Sequence, residues 1–198
     1  AVEHNNLSII MWACSNSVTY ELIVKYIGRV CKYGACNFTE RAAKNNDLET
    51  LSYLIKLGCA YNTDCMEIAI RNNNVSMFNY LYERSSTLFD DYLYRPAVKL
   101  GNTDIIGKLL SLEKRVREKE SKEWILVLAC WFGKLNVLQW LKSSFEIIPI
   151  GQEFINRAAG GNLETFKYVL SCNENVDYNM DFVFNCALHS GTYEVCEW

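Results

Sequence analysis

The sequence predicts an all-α fold, a solenoid of stacked helix-turn-helix repeats. A residue that suits a reversal of the chain recurs every 27 to 32 residues, and apolar residues follow it at fixed helical offsets. No segment shows the alternation of apolar and polar residues that marks a half-buried strand. These recurring residues, here called the breaks, divide residues 1–198 into one array of about six to seven units. The breaks are Ser17, Asn46, Asn73, Gly101, Gly133, Gly161 and Gly191.

The first helix of each unit is expected to end at its break. Six of the seven breaks are Gly or Asn, which adopt the left-handed conformation of many helix ends at low cost. The residue four positions before the break is small in six of seven units, which would let neighbouring helices approach closely. These residues are Ala13, Ala42, Ala69, Ala97, Ala129, Arg157 and Ala187.

The second helix of each unit carries an apolar stripe five and eight positions after the break. A helix pair this short cannot bury such a stripe alone, so each unit is expected to stack on the next. The fifth positions are Leu51, Phe78, Ile106, Leu138, Phe166 and Cys196, and the eighth positions are Leu54, Leu81, Leu109, Leu141 and Val169.

The two ends of the array are irregular. With Ser17 as the first break, residues 19–34 form the second helix with one residue too many, and a rival register aligns the segment from Ala1 with that from Ala69. We use Ser17 because it preserves the spacing. The chain starts without Met and stops at Trp198 within a predicted helix, so we expect the array to continue past one or both ends.

Residues 111–124 lie in the longest step and mix charges of both signs. This pattern predicts a solvated helix extension held by ion pairs between residues four apart. The alternative interpretation is a charged rim that steers a partner. The charged residues are Glu113, Lys114, Arg115, Arg117, Glu118, Lys119, Glu120, Lys122 and Glu123.

Composition argues against several classes of function. The net charge of −3 does not favour a nucleic-acid binder, and no apolar run approaches the roughly 18 residues of a membrane span. Nine cysteines and two histidines show no zinc-ligand spacing, so we expect free thiols, no metal and no cofactor. Such cysteine usage suits a reducing intracellular compartment, either cytoplasm or nucleus.

Motifs for catalysis are also missing, and we expect neither an enzyme nor a small-molecule substrate. His189 and Cys186 offer a nucleophile and a base, but their spacing matches no known motif. Five of the six residues that lie seven positions after the breaks are aromatic, and they either stack bases or, as we favour, pack on the adjoining unit. This series, which includes one lysine, is Tyr53, Tyr80, Lys108, Trp140, Tyr168 and Trp198.

Three segments carry a resemblance to a known family. They read A-A-K-N-N-D-L-E-T-L-S-Y-L-I-K-L-G at 42–58, L-A-C-W-F-G-K-L-N-V-L-Q-W-L at 128–141 and A-A-G-G-N-L-E-T-F-K-Y-V-L at 158–170. These segments resemble divergent ankyrin repeats, although the T-P-L-H opening is absent and the period is shorter than about 33. The G-C-A-Y link at 58–61 resembles links in arrays from large DNA viruses and protists.

The resemblance implies a curved stack of helix pairs that binds a protein partner without catalysis. It also implies that the two residues before each break face that partner on the concave surface. Trp131 and Phe132 would form the centre, with cationic residues as a rim; alternatively, the two rings fill the space left by residues 111–124. The pairs are Lys44 and Asn45, Arg71 and Asn72, Lys99 and Leu100, Trp131 and Phe132, Ala159 and Gly160, and His189 and Ser190.

The leading functional hypothesis is a non-catalytic protein-interaction scaffold. Three alternatives stay open: an adaptor that recruits machinery such as a ubiquitin ligase, a viral factor that modulates its host, and a structural component of a virus particle. Nucleic acid and membrane are not expected as partners.

Overall fold

A computed structural model describes residues 38–84, 91–112 and 118–198. Throughout these ranges the chain is helical, with twelve α-helices, one short 3-10 helix and no strand. The prediction of an all-α fold is therefore confirmed. The chain divides into two compact units, residues 1–90 and 91–198, and each is described by itself. The break at Ser17 and both registers of the first repeat fall outside the described residues.

The described part of the first unit contains two helix pairs. Helices α1 (Phe38–Lys44) and α2 (Leu48–Lys56) form one pair, and α3 (Thr63–Arg71) and α4 (Val75–Tyr82) form the other. Helix α1 packs on α3 and α2 packs on α4, so the second pair lies on the first in two layers.

In the described part of the second unit, a 3-10 helix at Asp91–Leu93 precedes four helix pairs. The first helices α5, α7, α9 and α11 pack on one another in sequence, and α8, α10 and α12 do the same in the other layer. The pairs are α5 (Tyr94–Leu100) with α6 (Thr103–Leu112), α7 (Glu118–Trp131) with α8 (Leu135–Phe145), α9 (Gln152–Ala159) with α10 (Leu163–Ser171), and α11 (Met180–Ser190) with α12 (Tyr193–Glu197).

The predicted apolar stripes form the core. Every described residue at the fifth and eighth positions is buried except Cys196, which is half-buried. The alanines four positions before the breaks are buried as well: Ala42, Ala69, Ala97, Ala129 and Ala187. The small and the large residues are thus buried together, as close packing of neighbouring helices requires.

Five of the six described breaks have the predicted left-handed backbone. The φ angles are 58° at Asn46, 52° at Asn73, 75° at Gly101, 62° at Gly133 and 73° at Gly191. At each of them the next residue donates its N–H to the carbonyl of the small residue, a bond that closes the helix end. The sequence pattern thus predicts these turns correctly.

Gly161 is the exception, and the prediction made for its unit is wrong in two respects. Gly161 is not left-handed, and the buried pair in α9 is Ala158 and Ala159. Ala159, predicted to face a partner, is therefore in the core. Arg157 moves out of the small-residue position, with 35% of its side chain exposed. The glycine is required for another reason: a Cβ at Gly161 would collide with the backbone of Cys130 and Gly133.

Asparagine side chains join several helix pairs to the preceding one. Asn162 caps α10 by accepting the Thr165 N–H at 2.8 Å, and its amide donates to the Gly133 carbonyl at 2.8 Å. Asn74 caps α4 through Met77 and donates to the side-chain oxygen of Asn46 at 2.8 Å. These side chains thus satisfy a helix N-terminus and a turn at once.

The aromatic series packs on the preceding pair, as the favoured interpretation predicts. The Tyr80 hydroxyl donates to the Ser52 carbonyl at 3.4 Å. Trp140 lies against Gly107, where an added Cβ would be 3.6 Å from its ring. Trp198 meets the Phe166 ring edge-on, with centroids 6.0 Å apart.

The charged segment is described only in part, because residues 113–117 fall outside the described ranges. Helix α7 begins at Glu118 and is 14 residues long. Lys119 and Glu123 form a solvent-exposed ion pair at 4.0 Å, four residues apart as predicted.

Candidate functional site

Two aromatic rings mark the end of helix α7. Trp131 is its last residue, and 43% of the side chain is exposed. The ring of the half-buried Phe132 stacks on it, with centroids 6.0 Å apart and planes inclined by 12°. The indole therefore has one neighbour that limits its rotation and one large area open to solvent.

Two arginines from neighbouring first helices hold the indole. The Arg95 guanidinium of α5 lies 5.4 Å from the Trp131 ring centroid and 5.6 Å from that of Phe132. The Arg157 guanidinium of α9 lies 5.8 Å from the Trp131 ring. Each contact falls within the roughly 6 Å range of a cation–π interaction, worth about 0.5–1 kcal/mol at an exposed site. Trp131 is thus preorganised although it is not buried.

A cleft of about 570 Å³ opens beside Trp131 and crosses helices α7, α9 and α11. Helix α9 lies between the other two, and Gly160, the residue that follows it, lines the cleft without a side chain. A Cβ at Gly160 would lie 2.6 Å from the Ser190 hydroxyl, so Ser190 takes the space beside the glycine. The lining residues are Trp131, Gln152, Glu153, Asn156, Arg157, Gly160, Cys186, His189 and Ser190.

Hydrogen bonds fix the α9 wall of the cleft. Arg157 donates from Nε and Nη2 to one Glu153 oxygen, at 3.1 and 2.9 Å. Gln152 donates to the Asn156 side-chain oxygen at 2.6 Å, and its own oxygen accepts the Asn179 N–H at 2.6 Å. These bonds hold long side chains in one conformation, which lowers the entropic cost of binding.

The charge around the two rings is positive. Arg95 and Lys99 lie one turn apart on α5 and form no ion pair within the described ranges. Around Trp131, the two cations Arg95 and Arg157 are set against the Glu153 carboxylate, which gives these groups a net charge of +1. The whole chain carries −3, so the positive charge is a local feature of this surface.

The predicted partner-facing residues divide between the two units. Lys44, Asn45, Arg71 and Asn72 are exposed in the first unit. There Lys44 pairs with Glu40 at 2.5 Å and Arg71 with Glu67 at 2.6 Å, while Asn72 donates to the Ala43 carbonyl. In the second unit Lys99, Leu100, Trp131 and His189 are exposed, and the structure brings Trp131 and His189 to one cleft.

Several site residues were missed by sequence reasoning: Arg95, Gln152, Glu153, Asn156 and Arg157. The four-residue spacing of Glu153 and Arg157 indicates an ion pair on one helix. No sequence signal places that pair beside Trp131, because the alignment of α7 with α9 depends on how their buried faces pack.

Cys186 and His189 both line the cleft, but no hydrogen bond joins them in the part of the chain that the structure describes. Across the same residues, no group of three or more His, Cys, Asp or Glu side chains is placed to hold a metal ion. The side chains that line the cleft supply polar contacts and an aromatic surface.

The thiol of Cys130, which precedes Trp131 in the sequence, differs in character from that of Cys186. Cys130 is buried, and burial raises its pKa to about 12. Since the thiolate is the reactive form, Cys130 acts as a small apolar core residue.

A second cleft, of about 410 Å³, lies at the other end of α7. It is lined by Asp91, Tyr92, Tyr94, Glu120, Ser121 and Trp124. Trp124 is 42% exposed, nearly as much as Trp131 on the same helix. The two tryptophans therefore form a matched pair for mutation.

None of the helices in the described ranges has the length and apolar character needed to cross a membrane. Comparison of the chain with family models, curated proteins and solved structures found no match.

Proposed function

We propose that this chain is a non-catalytic protein-binding scaffold, an ankyrin-like solenoid that holds a protein partner on the ends of its first helices. The observation that carries the proposal is Trp131, a half-exposed indole held by two arginines above a cleft that crosses three successive helices. The layered packing of α5, α7, α9 and α11 supports the solenoid.

The physical argument concerns the cost of keeping Trp131 in place. A tryptophan that served only the fold would gain more by full burial, because its large apolar surface contributes about 25 cal/mol for each Å² removed from water. Here the ring is left open and is fixed instead by Phe132, Arg95 and Arg157. Rigid Trp and Arg side chains are the commonest residues that dominate protein–protein binding energy.

The test is affinity capture with purified chain and a lysate of the source organism. Wild type, Trp131→Ala and Trp124→Ala are compared, and captured proteins are quantified by mass spectrometry. We expect a partner whose binding weakens about 30-fold or more, equivalent to about 2 kcal/mol, with Trp131→Ala only. Trp124→Ala should bind it as the wild type does.

Thermal melting of the same three proteins separates binding from stability. Similar melting temperatures for both variants are expected, because each indole is about equally exposed. A Trp131→Ala protein that melts far below Trp124→Ala, while its folded fraction captures the partner normally, would contradict the proposal.

A further inference from the structure

We propose that the Trp131 cleft binds a short acidic segment of the partner, with one apolar side chain of the segment lying against Trp131. The inference rests on the proposed function and specifies the partner's chemistry. It is drawn from the exposed Trp131 ring beside the cleft and from Arg95 and Lys99 of α5, which form no ion pair within the described residues.

The apolar part of the segment follows from the shape of the cleft. The cleft lies beside Trp131 and is also lined by Gly160 and by the α11 residues His189 and Ser190. Trp131 supplies an apolar wall for the cleft, and the Phe132 ring stacks on it. An aliphatic or aromatic side chain placed there would displace water from the indole and gain hydrophobic free energy.

The acidic part follows from charge complementarity. Arg95 and Lys99 have no carboxylate partner within the described residues, whereas Glu153 is already bonded to Arg157. A basic segment would be repelled by the net positive charge beside Trp131, while carboxylates would pair with Arg95, and with Lys99 one turn further along α5, without displacing an existing ion pair.

The cleft also suits an extended peptide. It crosses three helices, and side chains with donors and acceptors line it: Asn156, His189 and Ser190. Such groups can bond to a peptide backbone while the arginines and Trp131 contact its side chains. Polar groups of this kind fix the orientation of a bound chain more than they raise its affinity.

The test is selection from a random 12-residue peptide library displayed on phage, with wild-type chain as bait and Trp131→Ala for counter-selection. We expect enriched peptides in which Asp and Glu outnumber Lys and Arg around one large apolar residue. The best peptide is then labelled and its dissociation constant measured by fluorescence anisotropy.

Charge and shape variants test the two parts separately. The pair Arg95→Gln with Lys99→Gln should weaken binding about tenfold or more, and added salt should weaken the wild type likewise. Lys142→Gln with Lys167→Gln removes two exposed lysines from the other helix layer and should have little effect. Gly160→Met, which adds a long side chain to the lining of the cleft, should abolish binding.

Each outcome decides one of the proposals. Peptides that need Trp131 but are neutral or basic, or that ignore the Arg95 and Lys99 changes, overturn the acidic-segment inference and leave the scaffold standing. Failure to enrich any peptide also overturns the inference. Peptides that bind Trp131→Ala as tightly as the wild type count against both proposals.

Discussion

Gly160 and Gly161 are adjacent glycines, yet their surroundings give them different packing roles. A Cβ at Gly161 would run into the Cys130 carbonyl and the Gly133 backbone, atoms that cannot rotate away. A Cβ at Gly160 would meet the Ser190 hydroxyl at 2.6 Å, a group that can rotate, and the Gly160 φ of −80° suits any residue. Gly161 permits close packing of the backbone, whereas Gly160 leaves space for the Ser190 side chain.

We therefore expect Gly161→Ala to lower the free energy of unfolding by about 1–3 kcal/mol, the usual cost of forcing atoms into a packed site. Gly160→Ala should change it by less than about 1 kcal/mol, because reduced freedom of the unfolded chain offsets the shift of Ser190. Urea unfolding of the two variants measures the difference. Equal losses would show that Gly161 is not a packing constraint.

Cys130 gives a pH prediction at the same scale. Its pKa in the folded chain is about 12, above the ordinary value of 9.0, so the unfolded chain loses the proton first as pH rises. The stabilisation is complete below pH 9 and is lost between about 9 and 12, with a slope approaching 1.4 kcal/mol per pH unit. Cys130→Ala should lower the stability at neutral pH but flatten this alkaline slope. Equal slopes in denaturant unfolding series would refute the assignment.

Among the elements, α9 departs furthest from the common pattern. Without a left-handed residue at its end, it buries Ala158 and Ala159 and carries Arg157 outward to Trp131 and Glu153. The irregular helix is therefore the one that supplies most of the cleft wall. Its junction with α7 depends on Asn162, whose amide reaches the Gly133 carbonyl.

Two substitutions at Asn162 separate its two bonds. Asn162→Asp keeps the oxygen that caps α10 but loses the donor to Gly133, so we expect a loss of about 0.5–1.5 kcal/mol. Asn162→Ala also loses the cap, which adds about 1 kcal/mol. The predicted order of stability in urea is wild type, then Asp, then Ala. An Asp variant as stable as the wild type would mean that the bond to Gly133 contributes nothing.

Across the whole molecule, the sequence predicts those features that recur from one repeat to the next. The breaks, the small residues and the apolar stripes recur at fixed offsets, so the helices and their buried faces follow from Ala42, Leu51 and their counterparts. The cleft could not be predicted in this way. It depends on one irregular turn at Gly161 and on contacts of Trp131 with Arg95 and Arg157, which lie 36 and 26 residues away in sequence.

The helix contacts also predict how stability varies along the second unit. Within the described ranges, the main contacts of α12 are with α10 and α11, whereas α7 packs on α5, α8, α9 and α10. Stacked units hold only their neighbours, so we expect amide hydrogens of α12 to exchange fastest and those of α7 slowest. Native-state hydrogen exchange with mass spectrometry measures this order. Uniform protection from α5 to α12 would contradict it.

Because Trp131 contacts an arginine from each of two neighbouring helices, its fluorescence should respond to movement of those helices. Arg95 and Arg157 belong to helices on either side of α7, and both guanidinium groups lie close to the outer limit of about 6 Å for the interaction. If α5 or α9 moves outward by about 1 Å, one contact is lost while the other persists. Indole emission depends on nearby charge, so a change in curvature imposed by a bound partner should shift the emission wavelength of Trp131.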